Sequence, residues 1–202
     1  MLLDTETATV PEIYSTMIRA ITPRPIAWVS TISPAGVTNL APFSFFSGVG
    51  SAPASLMFSV VNKKDGSQKD TMRNIEANKQ FVVNVVPFAI AETMAITAGE
   101  FPYEESEFDA ANLTTQPSLR VAPPRVAESP IHIECELYQV VNVGEGPSSA
   151  NVVIGKILLF DIDDAVLDAD SKIDPDKVDT IGRMGGRAYC RTGERFTINP
   201  TS

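Results

Sequence analysis

The sequence predicts a mainly β fold with helices, an α+β domain built from antiparallel strands. Fifteen prolines and twelve glycines are spread along the 202 residues and separate short runs of β-forming residues. One of these runs, residues 131–137, alternates apolar and polar side chains with the period of two that a half-buried strand shows. A chain of this length with 44% hydrophobic residues can bury one core, so we expect a single domain over residues 1–202. The pattern favours an antiparallel barrel or sandwich over a helical bundle.

The strands follow one another in a regular order. Residues 25–32 form the first predicted strand, residues 33–36 a turn, and residues 37–46 the returning strand of a hairpin. A third strand at residues 55–61 is closed by the turn-forming residues 63–66. Further strands are predicted at residues 80–86, 131–137 and 152–160. Together these give about six strands, enough for a barrel.

Two helices and one long connection interrupt the strands. The spacing of residues 67–70 fits a capping box, and the apolar positions that follow predict a helix from about residue 70 to about residue 77. Residues 88–97 carry Ile90, Met94 and Thr97 at helical intervals. Residues 99–130 are rich in Glu, Pro and Ser and predict a surface excursion, longer than most loops that serve neither a site nor an interface.

Charge and composition exclude several classes of partner. With 16 basic and 25 acidic residues the formal charge is −9, which opposes binding to nucleic acid and to anionic membranes. The N-terminal residues lack the basic region of a signal peptide, and the apolar runs are too short to span a bilayer. We therefore expect a cytoplasmic protein with no nucleic acid or membrane partner and with its two cysteines reduced.

No metal site and no catalytic side chain is indicated. The one histidine, His132, lies on the polar face of a predicted strand and is expected at the surface. Asp168 and Asp170 are followed by Lys172 and Ile173, where a calcium loop needs an oxygen ligand and a glycine. A GxSxG elbow, a Rossmann fingerprint and a P-loop are all missing from the sequence. No fingerprint in the sequence therefore indicates which nucleotide, if any, the chain binds.

One segment has the residues of an anion site. Ser67, Lys69 and Thr71 cluster at the predicted start of a helix, where free backbone N–H groups and the helix dipole attract phosphate. Ordinary helix capping beside a surface lysine explains the same pattern.

Several motifs resemble the flavin reductase-like family, which includes the flavoredoxins. The strongest are PRPIAWVST at residues 23–31 and NLAPFSFF at residues 39–46, with Gly36 between them. FVVN at residues 81–84, VIGK at residues 153–156 and GRMGGRAY at residues 182–189 follow in the family's order. The resemblance extends from about residue 13 to about residue 195.

The resemblance implies an FMN-binding split β-barrel of antiparallel Greek-key type that forms a homodimer, with the flavin in a groove near the subunit interface. It implies an NAD(P)H-dependent flavin reductase that passes hydride or electrons through FMN to flavin, oxygen or a partner. The alternative is a flavoredoxin-like FMN electron carrier that a redox protein reduces and that uses NAD(P)H poorly. A third hypothesis is a protein that binds flavin without catalysing a reaction. The electron acceptor, and whether FMN is a prosthetic group or a substrate, stay open.

The resemblance also assigns cofactor-binding residues, largely through main-chain groups around the ring system. The isoalloxazine and ribityl chain would contact Ser30, Thr31, Asn39, Leu40 and Ala41, with Ser44 and Phe45 nearby. The ribityl chain would be flanked by Ser59 and Val60, and the phosphate held by Lys69, Asp70 and Thr71. Trp28 packs either against the flavin or in the barrel core, and the large area that an aromatic side chain buries favours the core. Asn151 stands where several relatives have a histidine-bearing pattern, and its amide is a possible donor to the flavin.

Overall fold

The computed structural model describes residues 1–199 and contains one large antiparallel sheet. The strands are β1 (Ala27–Ile32), β2 (Thr38–Phe43), β3 (Phe46–Ser51), β4 (Ala54–Val61), β5 (Gln80–Asn84), β6 (Thr115–Gln116), β7 (Arg125–Val126), β8 (Ile131–Val143), β9 (Ala150–Ile162), β10 (Ile181–Arg183) and β11 (Tyr189–Arg191). The helices are α1 (Val10–Ala20), α2 (Asp70–Asn78), α3 (Ala91–Ile96), α4 (Glu107–Ala110) and α5 (Pro175–Val178). Seven strands pair in the order β2-β1-β5-β8-β9-β4-β3, while β6 pairs with β7 and β10 with β11.

The large sheet curls into a barrel that is open along one seam. Its two edge strands, β2 and β3, are consecutive in sequence and form no ladder with each other. The chain turns a corner between them at Ser44 and Phe45, where the Ser59 amide of β4 donates to the Phe45 carbonyl (2.9 Å). This is the predicted α+β split barrel of antiparallel strands.

The barrel interior is packed with apolar side chains and closed by α2. Met72 and Ile75 of α2 are fully buried against strand residues. The Phe58 ring lies 5.4 Å from the rings of both Phe43 and Phe81. Gly155 of β9 faces the same interior, and a Cβ at this position would overlap the Phe81 ring. The close approach of β9 to Phe81 therefore requires glycine.

A second apolar layer lies on the outer face of β1 and β2, beneath α3 and α4. Trp28 of β1 is fully buried there with Met94 and Phe108. Its indole Nε1 donates to Thr97 Oγ1 (2.9 Å). Trp28 is therefore a core residue, as predicted, but it lies in this outer layer and not inside the barrel.

Most predicted elements are present, and several details differ. The helix expected at residues 70–77 is α2, and residues 88–97 form a 3₁₀ turn followed by α3. The single strand expected at residues 37–46 is wrong, because the corner at Ser44 and Phe45 separates β2 from β3. The capping box at residues 67–70 is also wrong: Lys69 is the N-cap, and the Ser67 hydroxyl donates to Asp65 (2.6 Å) instead. Helix α1 was not predicted.

The long excursion at residues 99–130 covers the polar face of β8, and this corrects the prediction for His132. That side chain is 5% exposed instead of lying at the surface, because β7 packs over it and the Val126 carbonyl lies 2.8 Å from its Nε2. Burial lowers the pKa of His132. Glu134, two residues further, is completely buried and accepts hydrogen bonds from the amides of Leu119 (2.8 Å) and Arg120 (2.6 Å).

Within residues 1–199, the helices are all too short or too polar to cross a lipid bilayer.

Candidate functional site

The N-terminus of α2 is free of side-chain caps. Lys69 is the N-cap residue, with extended backbone angles (φ −69°, ψ 154°), and its side chain has no oxygen to accept a hydrogen bond. Among the described residues 1–199, the amide N–H groups of Asp70 and Thr71 find no acceptor. Two free donors and the positive end of the helix dipole therefore point out of the helix together.

These groups open into a pocket of about 260 Å³, which we call the α2 pocket. It is lined by Asn39, Ala41, Pro42, Lys63, Lys69, Asp70, Thr71, Thr97, Ala98, Gly99, Glu100, Phe101 and Glu107. Lys69 is exposed and forms no salt bridge within the described part of the chain. Asp70 is paired with Lys63 (3.3 Å) and Arg73 (3.2 Å), so its charge is compensated. The pocket therefore has an unpaired cation beside the free helix N–H groups, the chemistry that binds a phosphate.

A network of buried amides and hydroxyls fixes α2 against the barrel edge. The Asn39 amide of β2 donates to Thr71 Oγ1 (3.0 Å), and the Asn74 amide donates to Thr31 Oγ1 (3.0 Å). Tyr103 Oη, in the long excursion, donates to Asn74 Oδ1 (2.7 Å). Each pair joins α2 to another element, so the pocket wall is held in place before any ligand binds.

A carboxylate that sequence reasoning did not identify also lines the α2 pocket. Glu107 of α4 is 8% exposed, and its Oε2 accepts a hydrogen bond from the Leu40 amide (2.9 Å). Burial raises the pKa of Glu107 above its usual range, an effect that the Leu40 amide opposes. In the sequence Glu107 is one of several acids in a polar stretch, and no local signal distinguishes it from the others.

Two further hollows continue from the α2 pocket along β2. The first, the arginine pocket, has a volume of about 200 Å³ and shares Pro42 and Ala98 with the α2 pocket. The second, the corner pocket, has a volume of about 320 Å³, surrounds the corner between β2 and β3, and shares Arg24 and Ser44 with the arginine pocket. The three hollows lie in a row, and β2 gives a path beside them from the N-terminus of α2 to the corner.

The predicted cofactor-binding residues fall into three groups along this path. Five line the α2 pocket: Asn39, Ala41, Lys69, Asp70 and Thr71. Three line the corner pocket: Ser44, Phe45 and Ser59. The other four are fully buried, main chain included, and line none of the three pockets: Ser30, Thr31, Leu40 and Val60.

Asn151 is held inside the barrel. Its amide donates to the Val60 carbonyl (3.1 Å) and to Asn62 Oδ1 (2.8 Å), and its own Oδ1 accepts from the Asn142 amide (2.6 Å). The side chain is 4% exposed. Both amide hydrogens are therefore already engaged, which corrects the expectation that this amide is a possible donor to a flavin.

Comparison with known proteins gives consistent matches over the whole chain. Residues 18–175 match the family model described as "Flavin reductase like domain". A curated but uncharacterised protein of Aquifex aeolicus is 42% identical over 179 residues, 89% of each chain. The crystal structure of nitrilotriacetate monooxygenase component B from Bacillus cereus has a TM-score of 0.92 at 30% identity and covers 98% of both chains. That of the 2-nitrobenzoate 2-nitroreductase NbaA from Pseudomonas fluorescens has a TM-score of 0.89 at 30% identity, covering 100% of this chain and 97% of the other.

Proposed function

This chain belongs to the flavin reductase-like family, and from that premise we propose that it binds FMN along β2, in the α2 pocket and the corner pocket, and acts as an NAD(P)H-dependent flavin oxidoreductase. When bound, the flavin supplies the redox chemistry, accepting a hydride from reduced nicotinamide and passing electrons to an acceptor. The protein needs only to bind, orient and shield the flavin. A site without a catalytic histidine is compatible with this role.

The uncapped N-terminus of α2 is the observation that carries the proposal. Lysine at an N-cap forgoes the roughly 1 kcal/mol that a serine or aspartate side chain contributes there. A phosphate on the α2 pocket replaces that missing acceptor, receiving hydrogen bonds from the Asp70 and Thr71 amides. Lys69 adds an unpaired charge, and the Thr71 hydroxyl lies at the same wall. These residues fit the phosphate of FMN.

The rest of the path fits the remainder of the cofactor. Asn39 and Ala41 continue the α2 pocket along β2, and Ser44, Phe45 and Ser59 line the corner pocket beyond it. Ser30, Thr31 and Leu40 are fully buried and line none of the three pockets, so we assign them to the layer that supports the pocket wall of β1 and β2. Their side chains hold the backbone rigid; for example, the Ser30 hydroxyl donates to the Pro124 carbonyl (2.5 Å).

Replacing Lys69 with alanine tests the phosphate site. We expect the dissociation constant for FMN to rise about ten- to 150-fold, because a charge-assisted hydrogen bond contributes about 1.5–3 kcal/mol. The measurement is an absorbance titration of the flavin-free protein. Lys64→Ala is the matched control, since Lys64 is exposed five residues away and lies outside the three pockets. An unchanged dissociation constant in Lys69→Ala removes Lys69 from the site.

Anaerobic addition of NADH and then NADPH to the FMN-loaded protein tests the activity. Bleaching of the flavin absorbance supports the reductase and identifies the preferred nucleotide. If the flavin stays oxidised with both nucleotides, the reductase proposal is overturned in favour of an electron carrier. The names of the two solved structures at 30% identity, a monooxygenase component and a nitroreductase, favour the enzyme.

We also propose that the protein is a homodimer. The free edge of β3 lies beside a shallow apolar hollow of about 570 Å³, where Val49 and Phe160 are each about half exposed. An unpaired strand edge next to apolar surface is a place where a second copy docks. Sedimentation of the FMN-loaded protein is expected to give a dimer, and Phe160→Glu is expected to shift it toward monomer. A monomeric wild-type protein contradicts this assembly.

A further inference from the structure

The arginine pocket contains a buried arginine with no acidic partner. Arg24 is 5% exposed and donates to the carbonyls of Ile18 (2.7 Å), Ile21 (2.6 Å) and Met184 (3.1 Å) and to Ser44 Oγ (3.2 Å). Within residues 1–199 it forms no salt bridge. Its charge is therefore solvated by neutral dipoles alone, which leaves a net positive charge at the pocket wall.

A second arginine, Arg183, pairs with Arg24 through its backbone. The backbones of Arg24 and Arg183 exchange two hydrogen bonds (3.0 and 2.8 Å), so both side chains line the same pocket. The Arg183 guanidinium donates to the Tyr189 hydroxyl and the Gly186 carbonyl and lies 4.5 Å from the centre of the Tyr189 ring. It too forms no salt bridge in the described part of the chain. Burial, together with the charge of Arg183, lowers the pKa of Arg24.

None of the residues that line this pocket is acidic. In a chain with a formal charge of −9, two arginines that line one pocket and have no acidic partner among residues 1–199 are a local exception. Like charges that line one partly desolvated hollow repel each other, and a bound anion reduces that repulsion. Tyr14, Met94 and Tyr189 supply apolar and aromatic wall beside the charges. The pocket therefore combines an oxyanion site with a surface for a planar ring.

The size and position of the arginine pocket restrict the kind of ligand that it can bind. Its volume of about 200 Å³ is below the roughly 300–1,000 Å³ of pockets that enclose drug-sized ligands, so it accepts a small anionic group with at most one ring. It adjoins the α2 pocket at Pro42 and Ala98 and the corner pocket at Arg24 and Ser44. A ligand placed here would lie beside the proposed path of the flavin.

We propose that the arginine pocket is a second ligand subsite, which binds the carboxylate or phosphate of the small molecule that exchanges electrons with the flavin. The oxyanion is recognised by Arg183 at the mouth of the pocket and by the positive field of Arg24 behind it. The anion site stands on the geometry of this pocket, and its role beside a flavin rests on the proposed function.

Calorimetric titration of the flavin-free and FMN-loaded protein tests the subsite with three probes: benzoate, inorganic phosphate and reduced nicotinamide mononucleotide. We expect at least one probe to bind the wild-type protein, with an affinity that falls as salt rises. In Arg183→Gln we expect its dissociation constant to rise at least tenfold, while the dissociation constant for FMN stays unchanged. The matched control is Arg187→Gln, since Arg187 is exposed in the same segment and lies outside the pocket.

The probes separate the possible sources of the anion. If benzoate binds and the nucleotide does not, the result supports an organic acid as the substrate. If the nucleotide binds and benzoate does not, the result supports the nicotinamide donor as the ligand. Failure of all three probes to bind, or equal binding by wild-type protein and Arg183→Gln, overturns the subsite. Arg183-dependent binding by a protein that does not bind FMN refutes the proposed function but leaves the anion site intact.

Discussion

Replacement of Glu134 with alanine is expected to lower the free energy of unfolding by about 3–5 kcal/mol. The carboxylate is completely buried beneath the long excursion and accepts from two consecutive backbone amides, those of Leu119 and Arg120. Its removal leaves both amides without an acceptor and leaves a cavity between β8 and the covering segment. Urea unfolding followed by circular dichroism measures the loss.

Glu136 on the same face of β8 provides the control for Glu134. It pairs with Lys156 at 2.8 Å, but both side chains are close to half exposed, so Glu136→Ala is expected to cost less than about 1 kcal/mol. Glu134→Gln keeps one acceptor oxygen and is expected to fall between the two alanine variants. If Glu134→Ala and Glu136→Ala lose equal stability, the buried carboxylate does not anchor the excursion.

The second large effect is expected at Trp28. Replacing it with alanine removes a fully buried indole from contact with Met94 and Phe108, and such truncations cost about 3–5 kcal/mol. The Thr97 hydroxyl also loses its indole donor. The thermal midpoint by circular dichroism and the urea midpoint are both expected to fall.

Two control variants show whether the stability lost in Trp28→Ala comes from lost packing at this position or from the loss of any aromatic side chain. Trp28→Phe keeps a ring in the cavity and is expected to lose less than Trp28→Ala. Tyr138→Ala, at a side chain 63% exposed, is expected to change stability by less than about 0.5 kcal/mol. In conditions where Trp28→Ala stays folded, its affinity for FMN is expected to match that of the wild-type protein. A tenfold weaker affinity in the folded variant assigns the indole to the flavin site instead of the core.

The strands were predictable because their signals are local. Residues 27–32 and 131–137 carry β-branched and alternating side chains, and turn residues bound most of the others, so the sequence alone predicts strands close to the observed β1, β4, β5 and β9 and to the first half of β8. Helix α2 was predictable from its apolar spacing. Helix α1 was also detectable in principle, since Thr9 and Glu12 form a capping box, but its apolar face is little buried.

The features that were missed depend on contacts distant in sequence. His132 and Glu134 have the pattern of an exposed strand face, and only the fold reveals that residues 99–130 cover them. The separation of β3 from β2 follows from a corner that the Phe45 carbonyl makes with β4. The arginine pocket joins Arg24 to Arg183, 159 residues later, through a backbone pairing that no local pattern indicates. Lys69 and Thr71 differ from these residues, because they lie in one helix start and the sequence alone predicts that they are neighbours.

The hydrogen bond from Trp28 to Thr97 holds a fluorescent indole close to the α2 pocket. Thr97 lines the α2 pocket, and Trp28 is the chain's sole tryptophan, so the only indole lies one side chain away from the proposed cofactor. Indole emission overlaps the absorption of oxidised flavin, and energy transfer over so short a separation is efficient. If FMN binds as proposed, the intrinsic fluorescence of the unlabelled protein is expected to fall in proportion to the fraction of sites that a flavin fills.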